Sequence, residues 1–254
     1  SRTVPIKDSL GMLETYAEVD KALADLNGNS AAWRLSEDRA FIEGLNQTMA
    51  STLFYGDSSL DPEKFTGLTP RYNLLSAENG INIVDAGGTG SDNASIWLIV
   101  WGPNTCHGIY PKGSPAGLQS RDLGEDTLID AAGGRYQGYR THYKWDNGLT
   151  LRDWRYVVRI ANIDVSDLTK NAASGGDLID LLTQAIELIP NLGMGRPVFY
   201  MPRKLRSFLR RQIANKVAAA TLTMEEVAGK KVVAVDGIPV RRTDALLLTE
   251  ARVV

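Results

Sequence analysis

His107 and His142 are the only imidazoles in this chain, and Cys106 is its single thiol. A metal site needs several such ligands at close spacing, and neither histidine has a second histidine or a carboxylate at a metal-ligand interval. One cysteine excludes an internal disulfide and a cysteine-based metal framework, so Cys106 reads as a small buried hydrophobe. The stretch Ala86-Gly87-Gly88-Thr89-Gly90-Ser91 could in principle cradle a phosphate. It lacks the Lys-Ser/Thr pair of a P-loop and no helix pattern follows it, which makes it a surface loop. Ser91 and Ser95 have no nucleophile-elbow glycines around them. The carboxylates Asp57, Asp61, Glu63, Asp122, Glu125 and Asp126 fall in loop-like segments where solvation is the ordinary explanation. One charge cluster stands out: Arg203, Lys204, Arg206, Arg210 and Arg211 on a single helical stretch. It suits a phosphate contact, a solvated face, or a face meeting acidic neighbours; with no interleaved aromatic platform, the latter two are favoured. The residues therefore nominate no catalytic, metal-binding or cofactor-binding side chain.

The elements that would position these residues belong to an ordinary folded chain. Apolar residues make up 43% and charged residues 23% of 254, with a net charge of −2. No global basic field draws the chain to nucleic acid, and near-zero charge removes one barrier to self-association. The apolar runs fall short of a membrane span and no signal-peptide pattern appears, so no membrane partner and a reducing cytoplasm are expected.

Along the chain, Ser1 to Ser9, with Pro5, reads as an extended arm. Gly11 to Leu26 shows helical spacing and is stopped by Asn27-Gly28-Asn29. Ser36 is the expected N-cap of a longer helix carrying Phe41, Leu45, Met49 and Leu53 and ending at Tyr55-Gly56-Asp57. Residues 56 to 95 look loop-rich, followed by a strand buried on both faces, Ile96 to Trp101. A second looped stretch runs through Pro111, Pro115 and Gly133-Gly134. The alternating runs Tyr136–Trp145 and Leu151–Ile163 flank Asp146-Asn147-Gly148 and predict a long hairpin turning at Asn-Gly. A helix from Asp177 to Ile189, capped at Ser174 and stopped by Pro190, precedes a strand at Val198-Phe199-Tyr200. Pro202 then opens the basic helix, and strands Lys231–Val235 and Ile238–Arg242 turn at Asp236-Gly237. The fold class is α+β. Its two-faced ribbon and long loops call for a partner surface.

Certain segments carry a resemblance. Arg39 to Leu45, Thr52-Leu53-Phe54-Tyr55-Gly56-Asp57 and Asp61-Pro62-Glu63-Lys64-Phe65-Thr66-Gly67-Leu68 are similar to the spine helix and following loop of tailed-bacteriophage major capsid proteins. Gly11 to Asp20, Ser95 to Gly102 and Gly237-Ile238-Pro239-Val240 with Asp244-Ala245 extend it over nearly the whole chain. The group it most resembles is that of the epsilon-15-like short-tailed phages. The resemblance implies an HK97-like fold, with residues 1–30 an N-terminal arm and E-loop remnant, 31–170 a peripheral (P) domain and 171–254 an axial (A) domain. Since the expected hairpin precedes the axial elements, the element order would be permuted. The implied function is a non-enzymatic shell subunit forming hexamers and pentamers around double-stranded DNA. Its implied partners are a portal, scaffolding and a cement protein, and its implied location is the virion, after assembly in the bacterial cytoplasm. Alternatives are an encapsulin-like compartment, a nucleotide-dependent enzyme using Gly87 to Ser91, and a nucleic-acid-binding module using Arg203 to Arg211.

Overall fold

The computed structural model describes residues 4–215, 224–227 and 230–254; the first residues of the expected arm, 1–3, lie outside them. Its elements begin with β1 (Gly11–Asp20), α1 (Lys21–Leu26), α2 (Ala31–Tyr55), β2 (Ile83–Asp85) and β3 (Asn93–Trp101). Next are β4 (Cys106–Ile109), β5 (Gln119–Ile129), β6 (Arg135–Leu151), β7 (Val157–Asp164) and α3 (Leu178–Glu187). The rest are β8 (Arg196–Met201), α4 (Arg203–Asn215), β9 (Met224–Val227), β10 (Lys230–Val235) and β11 (Ile238–Arg242). Packing groups Ser1–Gly67 with Gly108–Leu149 as one unit, and Leu68–His107 with Thr150–Val254 as the other. These interleaved units differ from a contiguous division at residues 30 and 170.

In the second unit, β3 runs antiparallel to both β7 and β8, while β2 and β11 add in parallel to β7 and β8. Alternate residues Ala94, Ile96, Leu98 and Val100 join Val158, Ile160, Phe199 and Met201 in the core. On that core pack Leu178, Leu181, Leu182, Ala185 and Ile186 of α3, and Leu205 and Leu209 of α4. Each fully buried aliphatic chain is worth roughly 1.5–3 kcal/mol. Asp177, rather than Ser174, caps α3, accepting from the Asp180 amide. The turn between β10 and β11 holds Asp236 and Gly237 at φ +49° and +75°, the Asp-Gly geometry read from sequence.

Arg159 of β7 faces Trp97 of β3 in register, on the sheet face away from those helices. It is 2% exposed and Glu250 is 7% exposed. The guanidinium donates to Glu250 Oε2 (2.8 Å), Ser95 Oγ (3.0 Å) and the Tyr72 carbonyl (2.8 Å), and lies over the Trp97 ring at 5.3 Å. The Ser95 hydroxyl donates onward to Glu250. The carboxy-terminal segment that brings Glu250 is stitched down: its amide bonds the Asn93 carbonyl, and Asn162 makes a two-way bond with the Val253 backbone.

In the first unit β6 is central, antiparallel to β1 from Gly11↔Asn147 to Asp20↔Gly138 and to β5 from Gln119↔Lys144 to Ile129↔Arg135. The helix expected over Gly11 to Leu26 is instead the strand β1 followed by the short α1. Leu13, Ala17 and Val19 satisfy a period of two as well as one of 3.6, and cross-strand pairing decides. Ala17 packs with Leu45, Tyr143, Leu13 and Ile42 beneath α2. The expected hairpin at Asn147-Gly148 does not form. Neither residue has positive φ, Asn147 pairs with Gly11, and β6 continues to Leu151 while β7 belongs to the other unit's sheet. The ribbon that forms instead, from β5 and β6, still precedes α3 and α4. The turn lies at Asp130 to Gly134, where Gly133 has φ +86° and the Asp130 carboxylate accepts from the Ala132 and Gly134 amides. β5, expected as loop, bulges at Leu123, with Gly124 at φ +77°. Helix α2 begins at Ser30, whose hydroxyl accepts from the Trp33 amide, earlier than the expected Ser36. Phe41 turns outward while Asp38, Leu45 and Thr52 are buried.

Two outcomes follow from these contacts. Glu250→Ala leaves a buried guanidinium uncompensated and is expected to cost about 3–5 kcal/mol in urea unfolding, most of it recovered in the Arg159→Leu/Glu250→Leu double variant. Tyr143 donates to Asp38 at 2.8 Å, and burial, followed by that bond, pushes its phenol up to about 12. The folded state thus holds the neutral phenol, a contribution complete below the unfolded value of about 10 and lost as pH rises further. The melting temperature should fall between about pH 10 and 12, less steeply in Tyr143→Phe.

Candidate functional site

The structure distributes the sequence-nominated residues among structural roles. His107 is half-buried on β4, whereas His142 lies on β6 of the other unit, 2.5 Å from Glu14 and stacked on Tyr16 at 4.8 Å between ring centres. Among the described residues no group of three or more histidine, cysteine or acidic side chains could hold a metal. Cys106 is buried where β4 meets Trp101.

The glycine-rich loop is not organised to receive phosphate. Its first three amides are spent on the protein itself: Ala86 donates to the Ala161 carbonyl, Gly88 to the Asn162 carbonyl at 2.8 Å, and Gly87 to the Asp85 carboxylate. A side chain at Gly90 would meet the carboxylates of Asp92 and Asp164 at 2.8 and 3.2 Å, so anions already line the turn. The chain then enters β3, which supplies no helix N-terminus. Ser95 is fully buried in β3 and held by Arg159 and Glu250.

Five of the six nominated carboxylates pair with cations or hydroxyls inside the first unit, and the sixth, Glu63, lies at the rim of an open groove. Asp122 takes a bidentate contact from Arg34 (2.9 and 3.0 Å), Glu125 pairs with Lys21 (2.7 Å), and Asp126 shares Arg140 with Glu18. Asp61 pairs with Lys64 at 2.9 Å, and Asp57 accepts from the Ser59 hydroxyl and amide. The Arg34 bond first, with the Gly124 amide, holds Asp122 below the usual carboxylate range; the Ser59 bonds do the same for Asp57. On the ribbon Glu18, Arg140 and Asp126 face one another across β1, β6 and β5, where opposite charges fix register. These bonds commit Asp57, Asp61, Asp122, Glu125 and Asp126 to partners within the unit.

What the first unit does present is unfinished surface. Val4 and Ile6 are 72% and 69% exposed on the extended arm, and Leu35 and Phe41 are exposed on α2. Beside the arm, Leu10, Met12, Leu13, Pro62 and Pro111 line an open groove of about 630 Å³ rimmed by Glu14, Glu63 and Asp146. Among the described residues β5 has no strand partner along its outer edge. Apolar patches and open edges of this kind mark interaction surfaces. The sequence reading missed the Arg159–Glu250–Ser95 cluster, although a lone arginine inside the apolar run Val157 to Ile163 was the available signal.

The comparisons with known proteins agree with this architecture. A family model described as major capsid protein GP7 matches residues 1–254. Among solved structures, the chain is similar to a protein of bacteriophage Epsilon15, with 41% identity over 99% of this chain and 76% of that one, at a TM-score of 0.70. A weaker similarity, 13% identity and a TM-score of 0.43 over 60% of this chain and 74% of that one, links it to the SrpI encapsulin of Synechococcus elongatus. No curated protein sequence matches. The mixed α+β architecture is that of the phage capsid structure, the HK97-like fold that the resemblance implied. The chain belongs to the major capsid protein GP7 family and is a bacteriophage major capsid protein.

Proposed function

We propose that copies of this chain form the hexamers and pentamers of an icosahedral phage head around double-stranded DNA, with no catalytic role for any of its side chains. The observation that carries the proposal is the 41% identity to the Epsilon15 protein, sustained over 99% of the chain. The physical support is the combination of an exposed apolar arm, an open groove and, among the described residues, a strand edge without a partner. Many weak contacts of this kind sum to a closed container when they repeat by symmetry. In this reading α2 is the spine helix, and the first unit carries the peripheral role together with the arm. The second unit, which contains 171–254, carries the axial role. A portal, scaffolding and a cement protein complete the particle, which is built in the host bacterial cytoplasm and ends as the virion shell.

Electron microscopy of the purified full chain tests the reading. Closed shells or ring-shaped capsomers are expected, and a dispersed, monodisperse single subunit would overturn it. Val4→Asp/Ile6→Asp, at positions exposed in the subunit, should abolish shells while leaving the melting temperature of the subunit unchanged.

A further inference from the structure

Among its described residues, the second unit gathers cations on one face with few acidic partners. Arg203, Arg206 and Arg210 recur at helical spacing on α4 and share one face, with Lys204 and Arg211 on the flanking stripe. Leu205, Leu209 and Gln212 occupy the buried side. Gln212 pins the helix down by accepting from the Leu178 amide and donating to the Thr169 and Gly176 carbonyls. Arg241 and Arg242 of β11 are exposed, and Arg242 lies close enough to Arg206 to act on it electrostatically. Among the described residues, Asp244 alone is paired with the group, bonded to Arg203 at 2.9 Å through Nε and again through the guanidinium end.

Arg206 bears the strain. Its guanidinium is held below its ordinary value by desolvation first, then by Arg210 and Arg242, and its Nε has no hydrogen-bond partner among the described residues. A half-buried cation flanked by two others, with an unused donor, is a site built for an anion that the subunit does not contain.

We propose that the face formed by Arg206, Arg210 and Arg242, with Lys204 and Arg211 beside it, binds the phosphate backbone of double-stranded DNA without reading its sequence. This rests on the reading that the shell encloses DNA, and it names the surface that meets it. Two observations favour a phosphate backbone over an acidic protein face. No large apolar side chain is exposed on α4 or β11 among the described residues, so the patch lacks the desolvated centre from which protein interfaces draw their energy. A duplex offers the charge density the cluster needs: about 20 Å of helix at 1.5 Å per residue spans roughly a dozen phosphates. Single strands are disfavoured because Phe208, the aromatic of α4, is half-buried and covered by Arg211 at 5.0 Å, leaving no platform for base stacking.

The test uses the unassembled full chain and a short mixed-sequence DNA duplex, with affinity followed over a salt series. Arg206→Gln/Arg210→Gln/Arg242→Gln is expected to lower the slope of log K against log salt by about 2–3, and Arg210→Gln alone, at an exposed position, by about 1. The charge-matched control Lys112→Gln/Arg121→Gln/Arg135→Gln, on exposed positions of the first unit, should leave the slope near that of the unaltered chain. Equal losses in the triple variant and control overturn the proposal. So does unchanged DNA affinity with loss of shells, which would assign the face to an acidic neighbouring copy. Shell formation is read separately: shells without duplex affinity overturn this assignment alone, whereas no shells at all strike the assembly reading.

Discussion

Arg159 sits on a strand whose neighbours are valine, isoleucine and alanine, in a sheet that water does not enter. A guanidinium cannot stay there without full neutralisation, so the position of everything around it is constrained. Ser95 must present its hydroxyl from β3, the Tyr72 carbonyl must point inward from the preceding loop, and Glu250 must arrive from nearly a hundred residues downstream. That last demand explains why the carboxy-terminal segment, which has little regular structure, is held by main-chain bonds to Asn93 and by the paired amide of Asn162. The network welds sequence-distant segments into one body, which suits a structural protein.

The first unit uses charge differently. Its ion pairs are largely exposed, and each is worth little to stability, on the order of 0–1 kcal/mol. Their value is in register: Glu18 opposite Arg140, and Tyr16 stacked over His142, penalise a slipped ribbon because a one-residue shift would invert every side chain. Charges committed to alignment are unavailable for chemistry, in keeping with a structural role. The basic face of α4 differs: among the described residues its ion pair is the one between Arg203 and Asp244.

Much of this was legible in the residues. The α+β class, the fully apolar strand at Ile96, the helix over Leu178 to Glu187, the Pro202-initiated helix and the Asp236-Gly237 turn all followed from period, caps and turn chemistry. The failures share a cause, which is tertiary pairing overruling a local signal. Gly11 to Asp20 carries two periodicities at once, and a partner strand selects the shorter. Asn147-Gly148 is the strongest local turn signal in the chain, yet Gly148 packs tightly against Leu10 and Ile109 in extended backbone and the turn forms elsewhere. The polar run of β5 has no strand-like alternation because it is exposed over most of its length, and only the β6 edge makes it a strand. Arg159 was visible as a lone cation in a strand-like run, but its partner was not, because that carboxylate lies 91 positions away.

One small irregularity bears on how such a protein avoids ruin. The outward edge of β5 is broken at Leu123, where Gly124 in left-handed backbone throws one residue out of register and the Asp122 carboxylate caps the kink through the Gly124 amide. A smooth edge of this length would template end-to-side stacking of identical ribbons, an open-ended growth with no closing geometry. Among many identical copies, a subunit with a straight edge would drift toward fibres; a kinked one accepts only a partner that matches the kink, and so can wait for the correct neighbour.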